Sequence, residues 1–449
     1  MQNQISLPEK WGLNQAPHDQ QSDSETVKAR IAKEVVAIPN WIIQFENPQL
    51  NALVREAFKS NFDLKVAVAR MEKARAQATA SGAVLRPNVS ASLSSARSRA
   101  NLPQKSIGSS KSLSVDMSWE IDLWNRLSLQ AKASIRDFNV TEADWQAARL
   151  SLSANVAKAW FDLTQARLQM ELVERRIENL SNNLSTIQQE FDLGLKAALD
   201  VYLARANVER ERAKLSARQR GFEQASRTIA VLLGRYPSVE LVGGSDFESL
   251  NTLLAVKRKV PQLPSELLLR RWDLIAWRHQ LAAANSRMSA AHYNRFPRFS
   301  LTSNTGSRSD KFGDLLSSDF FVWSFLGSVS APLFDGKRLA SEARKAEANV
   351  REVEANYSKA LLSAFQQVEN AIGSEQLLME QESALDKAVS ESLSAEKLAF
   401  ENYLNGLVGF ITVLESQRSL FDSQSAAIDV RNQRIKNRID LHLALGGSF

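Results

Sequence analysis

Leu113-Ser-Val-Asp-Met-Ser-Trp-Glu-Ile-Asp122 alternates apolar and polar side chains without a miss. Leu113, Val115, Met117, Trp119 and Ile121 fall on one side of an extended chain, with Ser114, Asp116, Ser118, Glu120 and Asp122 on the other. Period two over about ten residues predicts a β-strand with two unlike faces. A second stretch repeats the pattern: Phe321, Trp323, Phe325, Val329 and Ala331 share a face opposite Ser324, Ser328 and Ser330. Weaker partner strands are expected around Val89 to Ala96 and Phe299 to Thr305. Polar loops rich in Ser, Gly and Asp join them, Ala100 to Lys111 and Gly306 to Asp319. The four strands are placed at about 86–98, 111–122, 297–306 and 320–333.

Downstream of the first pair the periodicity changes. From Leu152 the apolar or small positions run Val156, Ala159, Leu163, Ala166, Met170, Val173, Ile177, Leu180, Leu184, Ile187 and Phe191, in alternating steps of three and four. That is a coiled-coil seam. Counted from Asn125, the helix is about 65 residues and on the order of 100 Å long. The last helix carries a sparser seam at Leu407, Leu414, Phe421, Ile428 and Ile435. Gly194 and Gly406 each interrupt a long helical stretch, which predicts antiparallel hairpins reversing at glycine.

The two halves are copies. Asn61-Phe-Asp-Leu64 aligns with Arg271-Trp-Asp-Leu274, Arg86-Pro87 with Phe296-Pro297, Ile121-Asp122 with Phe334-Asp335, Leu193-Gly194 with Asn405-Gly406, and Leu233-Gly234 with Leu445-Gly446. Five landmarks in one order, about 210 to 213 residues apart, establish a tandem duplication. Each copy reads helix, strand, loop, strand, long helical hairpin. In copy one the first helix is expected from Pro48 to Gly82 and is ended by Arg86-Pro87. The organisation is therefore an N-terminal extended segment at 1–47, a first repeat at 48–234, a linker at 235–262 and a second repeat at 263–449.

Composition removes several function classes. With no cysteine among 449 residues, disulfides, thiolate metal sites and cysteine nucleophiles are excluded. The net charge is +6, but Lys and Arg are interleaved with Asp and Glu along helices, so a solvated surface and no nucleic-acid partner are expected. His18, His279, His292 and His442 are scattered, and Gly243-Gly244 lacks the lysine of a phosphate loop. No enzyme activity, metal or cofactor is expected. No run of eighteen apolar residues forms a membrane-spanning helix, which leaves strands in a closed barrel as the one way to cross a bilayer. Met1 to Lys10 lacks the charged and apolar regions of a signal peptide, as in a processed mature form or a cytoplasmic protein.

Ten-residue strands suit a tilted crossing of a bilayer, but four cannot close a barrel, and an open edge in lipid leaves backbone groups unpaired. Several chains must combine, and three copies supply twelve strands. A soluble sheet with one buried face gives the same alternation, and on strand pattern alone the two readings are even. Helices of about 100 Å joined to such strands favour a duct.

Trp119-Glu-Ile-Asp-Leu-Trp-Asn-Arg126 resembles the strand-to-helix junction of the TolC-like outer-membrane efflux factors, in the OprM-like lipoprotein branch. Leu269-Arg-Arg-Trp-Asp-Leu274 is similar to that family's Arg-Arg-Pro-Asp segment, with Trp272 in place of proline. Tyr403-Leu-Asn-Gly406 with Thr412-Val-Leu-Glu-Ser-Gln-Arg418 resembles its helix-hairpin tip, and Leu7-Pro-Glu-Lys-Trp11 its mature start. The resemblance implies a mainly α fold with a small β part: two tandem repeats of long antiparallel coiled-coil helices, with four strands given to a trimeric, twelve-stranded transmembrane β-barrel. It implies a homotrimer in the outer membrane of a Gram-negative bacterium, in contact with outer-membrane lipid and extending into the periplasm. A periplasmic adaptor protein and an inner-membrane transporter would be its partners, and small amphipathic compounds such as drugs its cargo. Members of this branch carry a lipidated N-terminal cysteine. Here Met1 opens the chain and no cysteine follows, so signal and anchor are expected to have been removed.

The resemblance also places Tyr403, Glu415 and Arg418 near a constriction at the hairpin tips, with Asp200 in the corresponding region of copy one. Lys196 and Arg205 lie close to Asp200 in sequence, and which partner each takes is open. Val408 stands where some members have arginine, so their tyrosine–arginine link is not expected. Acidic and basic groups gathered by threefold symmetry would latch the tip, each exposed pair contributing about 0–1 kcal/mol. The plain alternative is solvated residues beside a turn. Two rival functions stand beside efflux: the exit duct of a protein-secretion system, and a soluble coiled-coil scaffold.

Overall fold

A computed structural model describes residues 38–100, 106–239 and 270–447. The N-terminal segment expected at 1–47 and the linker at 235–262 therefore lie outside it, except for 38–47 and 235–239. The elements run α1 (Asn40–Ile43), α2 (Pro48–Ser60), α3 (Phe62–Ala83), β1 (Asn88–Ala100), β2 (Ser106–Ile121), α4 (Arg126–Asp192) and α5 (Ala198–Leu232). Copy two follows as α6 (Trp272–Tyr293), β3 (Arg298–Ser309), β4 (Phe321–Ser330), α7 (Arg338–Leu404) and α8 (Phe410–Ala444). Among the described residues no helix is long and apolar enough to cross a membrane.

The strands form one antiparallel sheet in the order β1-β2-β3-β4, so β2 and β3 join the two copies. The register keeps unlike faces apart. Leu93, Leu113, Ser307 and Phe321 make one cross-strand row, and Val115, Thr305 and Trp323 another on the same face. Leu93, Trp323, Phe325 and Val329 on this face are exposed. The opposite face is a polar ladder. Ser92 and Ser114 hydroxyls lie 2.9 Å apart, Ser94 and Ser112 2.8 Å, and the Asn304 amide donates to Asp116 at 2.5 Å. Among the described residues the outer strands β1 and β4 each have one edge unpaired.

Several boundaries differ from expectation. The helix expected from Pro48 to Gly82 is two helices, because Asn61 leaves helical geometry (ψ 132°) and caps α3, its side chain accepting from Leu64 N at 3.1 Å. β1 and β2 run further into their connector than the Ser- and Gly-rich sequence suggests, since ladder partners from Arg97↔Ser109 to Ala100↔Ser106 satisfy the backbone there. The β3–β4 connector contains 3-10 turns at Gly313–Leu316 and Ser318–Phe320. β4 ends at Ser330, before Ala331, and Leu407 precedes α8 rather than starting its seam.

Strand passes to long helix through the same device in both copies. The Asp122 carboxylate accepts from the backbone N–H of Leu127 (2.9 Å) and Ser128 (2.7 Å), and Asp335 accepts from Leu339 N at 2.9 Å. These acids occupy the helix N-terminus, where free N–H groups and the helix dipole favour negative charge. Burial works against the Asp122 carboxylate, but its hydrogen bonds from Ser128 and Leu127, with the Arg126 charge, hold it below the usual carboxylate range. Asn125 (φ 58°) and Gly336 and Lys337 (φ 61° and 69°) turn the chain in the left-handed region. α4 and α7 then run 67 residues each, about 100 Å.

Each copy also closes on itself. Asn61 donates to Leu232 O (2.9 Å) and Arg271 to Ala444 O (3.0 Å), so the residue before α3 and the residue before α6 each tie down the helix that closes their own copy. Trp41, buried in α1, stacks on His442 at 5.5 Å, and Phe45 meets Phe161 at 5.4 Å. Between α4 and α8 the seam turns polar. The Gln169 amide donates to Ser425 O (2.9 Å) and Asp429 (2.8 Å), Asn432 donates to Asp162 (2.8 Å), and Lys436 pairs with Asp162 (2.9 Å).

Candidate functional site

The hairpin tips are built alike. α4 stops at Asp192 and α5 starts at Ala198; α7 stops at Leu404 and α8 starts at Phe410. Gly194 (φ 75°) and Gly406 (φ 72°) take the left-handed conformation that ends each helix. In copy one Leu195 N donates to Glu190 O (2.8 Å) and Gly194 N to Phe191 O (2.8 Å). In copy two Leu407 N donates to Asn402 O (2.8 Å) and Gly406 N to Tyr403 O (3.0 Å). Both are Schellman closures, which use up carbonyls the helix would otherwise leave unpaired.

Between the tips three expected residues meet. Tyr403, in the last turn of α7 and 3% exposed, donates its hydroxyl to Asp200 Oδ2 at 2.9 Å. Asp200 lies in the first turn of α5, where an acid is favoured. Lys196 Nζ donates to Tyr403 O at 2.7 Å, reaches Leu404 O at 3.5 Å, and sits 4.2 Å from the centre of the Tyr403 ring. A cation is thus held at the carbonyl end of α7, sharing Tyr403 O with the Gly406 N–H, and over an aromatic face. Beneath this polar group lies a small apolar core of Ile187, Val201, Ala204, Phe410 and Val413, with Val408 packed at its margin. Burial, then the Asp200 hydrogen bond and the charges of Asp200 and Glu190, push the Tyr403 phenol well above the usual tyrosine range. It stays a neutral donor to a carboxylate.

The other three expected residues stand apart. Arg205 donates to Gln188 at 3.5 Å, in the open. Arg418 is 82% exposed and faces Asp422 of its own helix at 3.6 Å. Glu415 is exposed and has no hydrogen-bond or ion-pair partner among the described residues. Tyr403 meets an aspartate from the other copy, consistent with valine at 408 removing an arginine partner. Phe410, whose ring lies 5.2 Å from that of Tyr403, was not among the expected site residues. Its only sequence signal is an aromatic residue four positions after the turn glycine. Among the described residues no cluster of His, Asp and Glu forms a metal site.

Tandem strand-and-hairpin repeats, a two-faced sheet with open edges and helices of about 100 Å define an outer-membrane duct subunit. Residues 53–235 and 263–447 match the family described as outer membrane efflux protein. The chain belongs to that family and is an outer-membrane protein. It is 26% identical over 448 residues to the probable outer membrane lipoprotein SilC of Salmonella typhimurium, covering 99% of this chain and 96% of SilC. It is 30% identical over 433 residues to the toluene efflux pump outer membrane protein TtgC of Pseudomonas putida, covering 95% and 88%. The solved outer-membrane channel OprN superposes with a TM-score of 0.85 at 28% identity, covering 91% of this chain and 92% of that one.

Proposed function

We propose that the chain is one protomer of a homotrimeric duct that carries drugs or other small amphipathic compounds out of the cell. It is the passive outer-membrane element of a tripartite assembly, joined by a periplasmic adaptor to an inner-membrane transporter that supplies the energy. The observation that carries this reading is the sheet: four strands, both edges unpaired, one face apolar and exposed, the other a polar ladder. Three such sheets edge to edge give twelve strands, with apolar faces toward lipid and serines and Asp116 toward a water-filled lumen. The two copies act as modules, 48–234 and 263–449, joined at 235–262 and preceded by the 1–47 segment, and a lipid anchor at the N-terminal side is in keeping with SilC's description as a lipoprotein. The toluene pump membership of TtgC supports small apolar cargo.

The tip is the closure. Within each protomer the Tyr403–Asp200–Lys196 group locks hairpin to hairpin. Glu415 and Arg418, left exposed and without a partner from the other hairpin, serve between protomers. Light scattering of the detergent-solubilised protein, corrected for bound detergent, tests the whole. A mass near three times 50.0 kDa that requires detergent is expected. A monomer or dimer stable without detergent removes the barrel and returns the long helices to a soluble scaffold.

A further inference from the structure

The strand register puts a cluster of cations at one level of the outward face. The strands enter and leave the helices at Asn88, Ile121, Arg298 and Ser330, so the β1–β2 and β3–β4 connectors mark the end remote from the helices. Toward that end the last row apolar on more than one strand is Leu93–Leu113–Ser307–Phe321, with Ile107 a single apolar side chain beyond it. Side chains two residues apart share a face. The next outward positions are therefore Lys111, opposite Ser95, then Arg97, opposite Ser109, then Arg99, opposite Ile107. At about 3.3 Å per residue, Lys111 lies roughly 7 Å and Arg97 roughly 13 Å along the strand beyond the apolar row, the depth of a headgroup layer.

Nothing on their own strands neutralises these cations. From Asn88 to Val115 the sequence has no Asp or Glu, and Asp116, the first acid, is held on the opposite face by Ser114 and Asn304. Arg97 and Arg99 are exposed and have no hydrogen-bond or ion-pair partner among the described residues. Lys111 is held in place without a carboxylate: its Nζ donates to Asp310 O at 2.9 Å and lies 4.5 Å from the Phe312 ring centre. The acids of the β3–β4 connector are placed otherwise. Ser309 Oγ donates to Asp314 at 2.7 Å and lies 3.4 Å from Asp310, and Asp319 precedes β4, at the far edge of the sheet. Two guanidinium forks and an ammonium just beyond an apolar belt match phosphate oxygens carried on a lipid, since arginine binds phosphate in a bidentate fashion.

We infer that Arg97, Arg99 and Lys111 form a lipid-facing site for the phosphate groups of an outer-leaflet lipid, anchoring the barrel at a fixed depth. This rests on the barrel reading. The test is native mass spectrometry of the purified protein released from detergent after exposure to diphosphoryl lipid A or to its fully dephosphorylated form. The triple variant R97Q/R99Q/K111Q is compared with R308Q, whose side chain lies at the same rim on the opposite face. The wild type and R308Q should retain the phosphorylated lipid, the triple variant roughly tenfold less, given the strength of charge-assisted bonds, and none should retain the dephosphorylated form. Excess inorganic phosphate should compete weakly, because it lacks the acyl chains. Trimers that retain both lipids equally, or a triple variant that matches wild type, overturn the site while leaving the duct intact. A triple variant that loses trimer mass with unchanged lipid retention assigns the cations to a neighbouring protomer's acids instead. A wild type that forms no detergent-dependent trimer removes the barrel, and this site with it.

Discussion

α4 and α7 are equal in length and equivalent in the repeat, yet 20 residues of α4 are buried and only 8 of α7. α4 packs on α2, α3, α5, α6 and α8, whereas α7 packs on α6 and α8. Among the described residues α4 is thus the central shaft, and α7 supplies a flank that they leave uncovered. On that flank Leu362, Leu377, Leu393 and Leu398 are each more than half exposed. Duplication conserved the length and the turns, and burial diverged along the shafts. A subunit finished on one side and open on the other is what lateral assembly requires, so the bare leucines of α7 mark where a neighbouring protomer would lie.

The sharpest way to break this contrast is to cut the core of copy one. Phe161→Ala, at a fully buried site, should lower stability to denaturant by about 3–5 kcal/mol. Leu377→Ala on α7 should leave the denaturant midpoint of a dissociated protomer nearly unchanged. Next comes the open flank. Leu377→Glu with Leu398→Glu should abolish the proposed trimer by light scattering while circular dichroism keeps the helical signal; an intact trimer would place the interface elsewhere. At the tips the copies should converge again. Gly194→Ala and Gly406→Ala meet no neighbouring atom, so each should cost the same left-handed strain, about 1–2 kcal/mol. Unequal losses in a denaturant series would show that one tip is strained by its surroundings.

The smallest effects concern the proposed closure. Tyr403→Phe removes one hydrogen bond, about 0.5–1.5 kcal/mol, and should raise conductance in planar bilayers modestly. Glu415→Gln and Arg418→Gln should also raise it, and unchanged conductance in all three variants would sink the latch. The Tyr403 phenol is raised above its unfolded value, so the stability it contributes is present below about pH 10 and lost as pH rises through the higher folded value. Difference absorbance between wild type and Tyr403→Phe should therefore show no phenolate from this residue at pH 10.

How much of this was legible varied with whether the cause was local. Alternation from Leu113 to Ile121 fixed a strand and its faces, and the heptads from Leu152 foretold a helix of the right length, because both are periodic facts of one segment. The break at Asn61 was not visible. Ser60, Asn61 and Asp63 are weak helix formers set inside a run of strong ones, and the Asn61 side chain both caps α3 and donates to Leu232 O, 171 residues away. The polar stretch of the α4–α8 seam was hidden likewise: Gln169 is buried beside the expected seam residue Met170 because Ser425 and Asp429 of the other copy satisfy it. At the tip, sequence brought forward six residues and geometry joined Lys196, Asp200 and Tyr403. Which cation met which acceptor depended on two loops from different halves of the chain.

The strand-to-helix junction has a mechanical consequence. Asp122 and Asp335 cap each long helix within a few residues of the sheet, so each shaft is a stiff lever with its fulcrum at the strand end. On an arm of about 100 Å, a rotation of roughly 3° carries the far end about 5 Å. On the proposed function, an aperture at the tips can therefore widen by atomic dimensions while the strand end hardly moves. Little backbone rearrangement is needed, and a docking partner pushing near the end of the arm works at the greatest mechanical advantage.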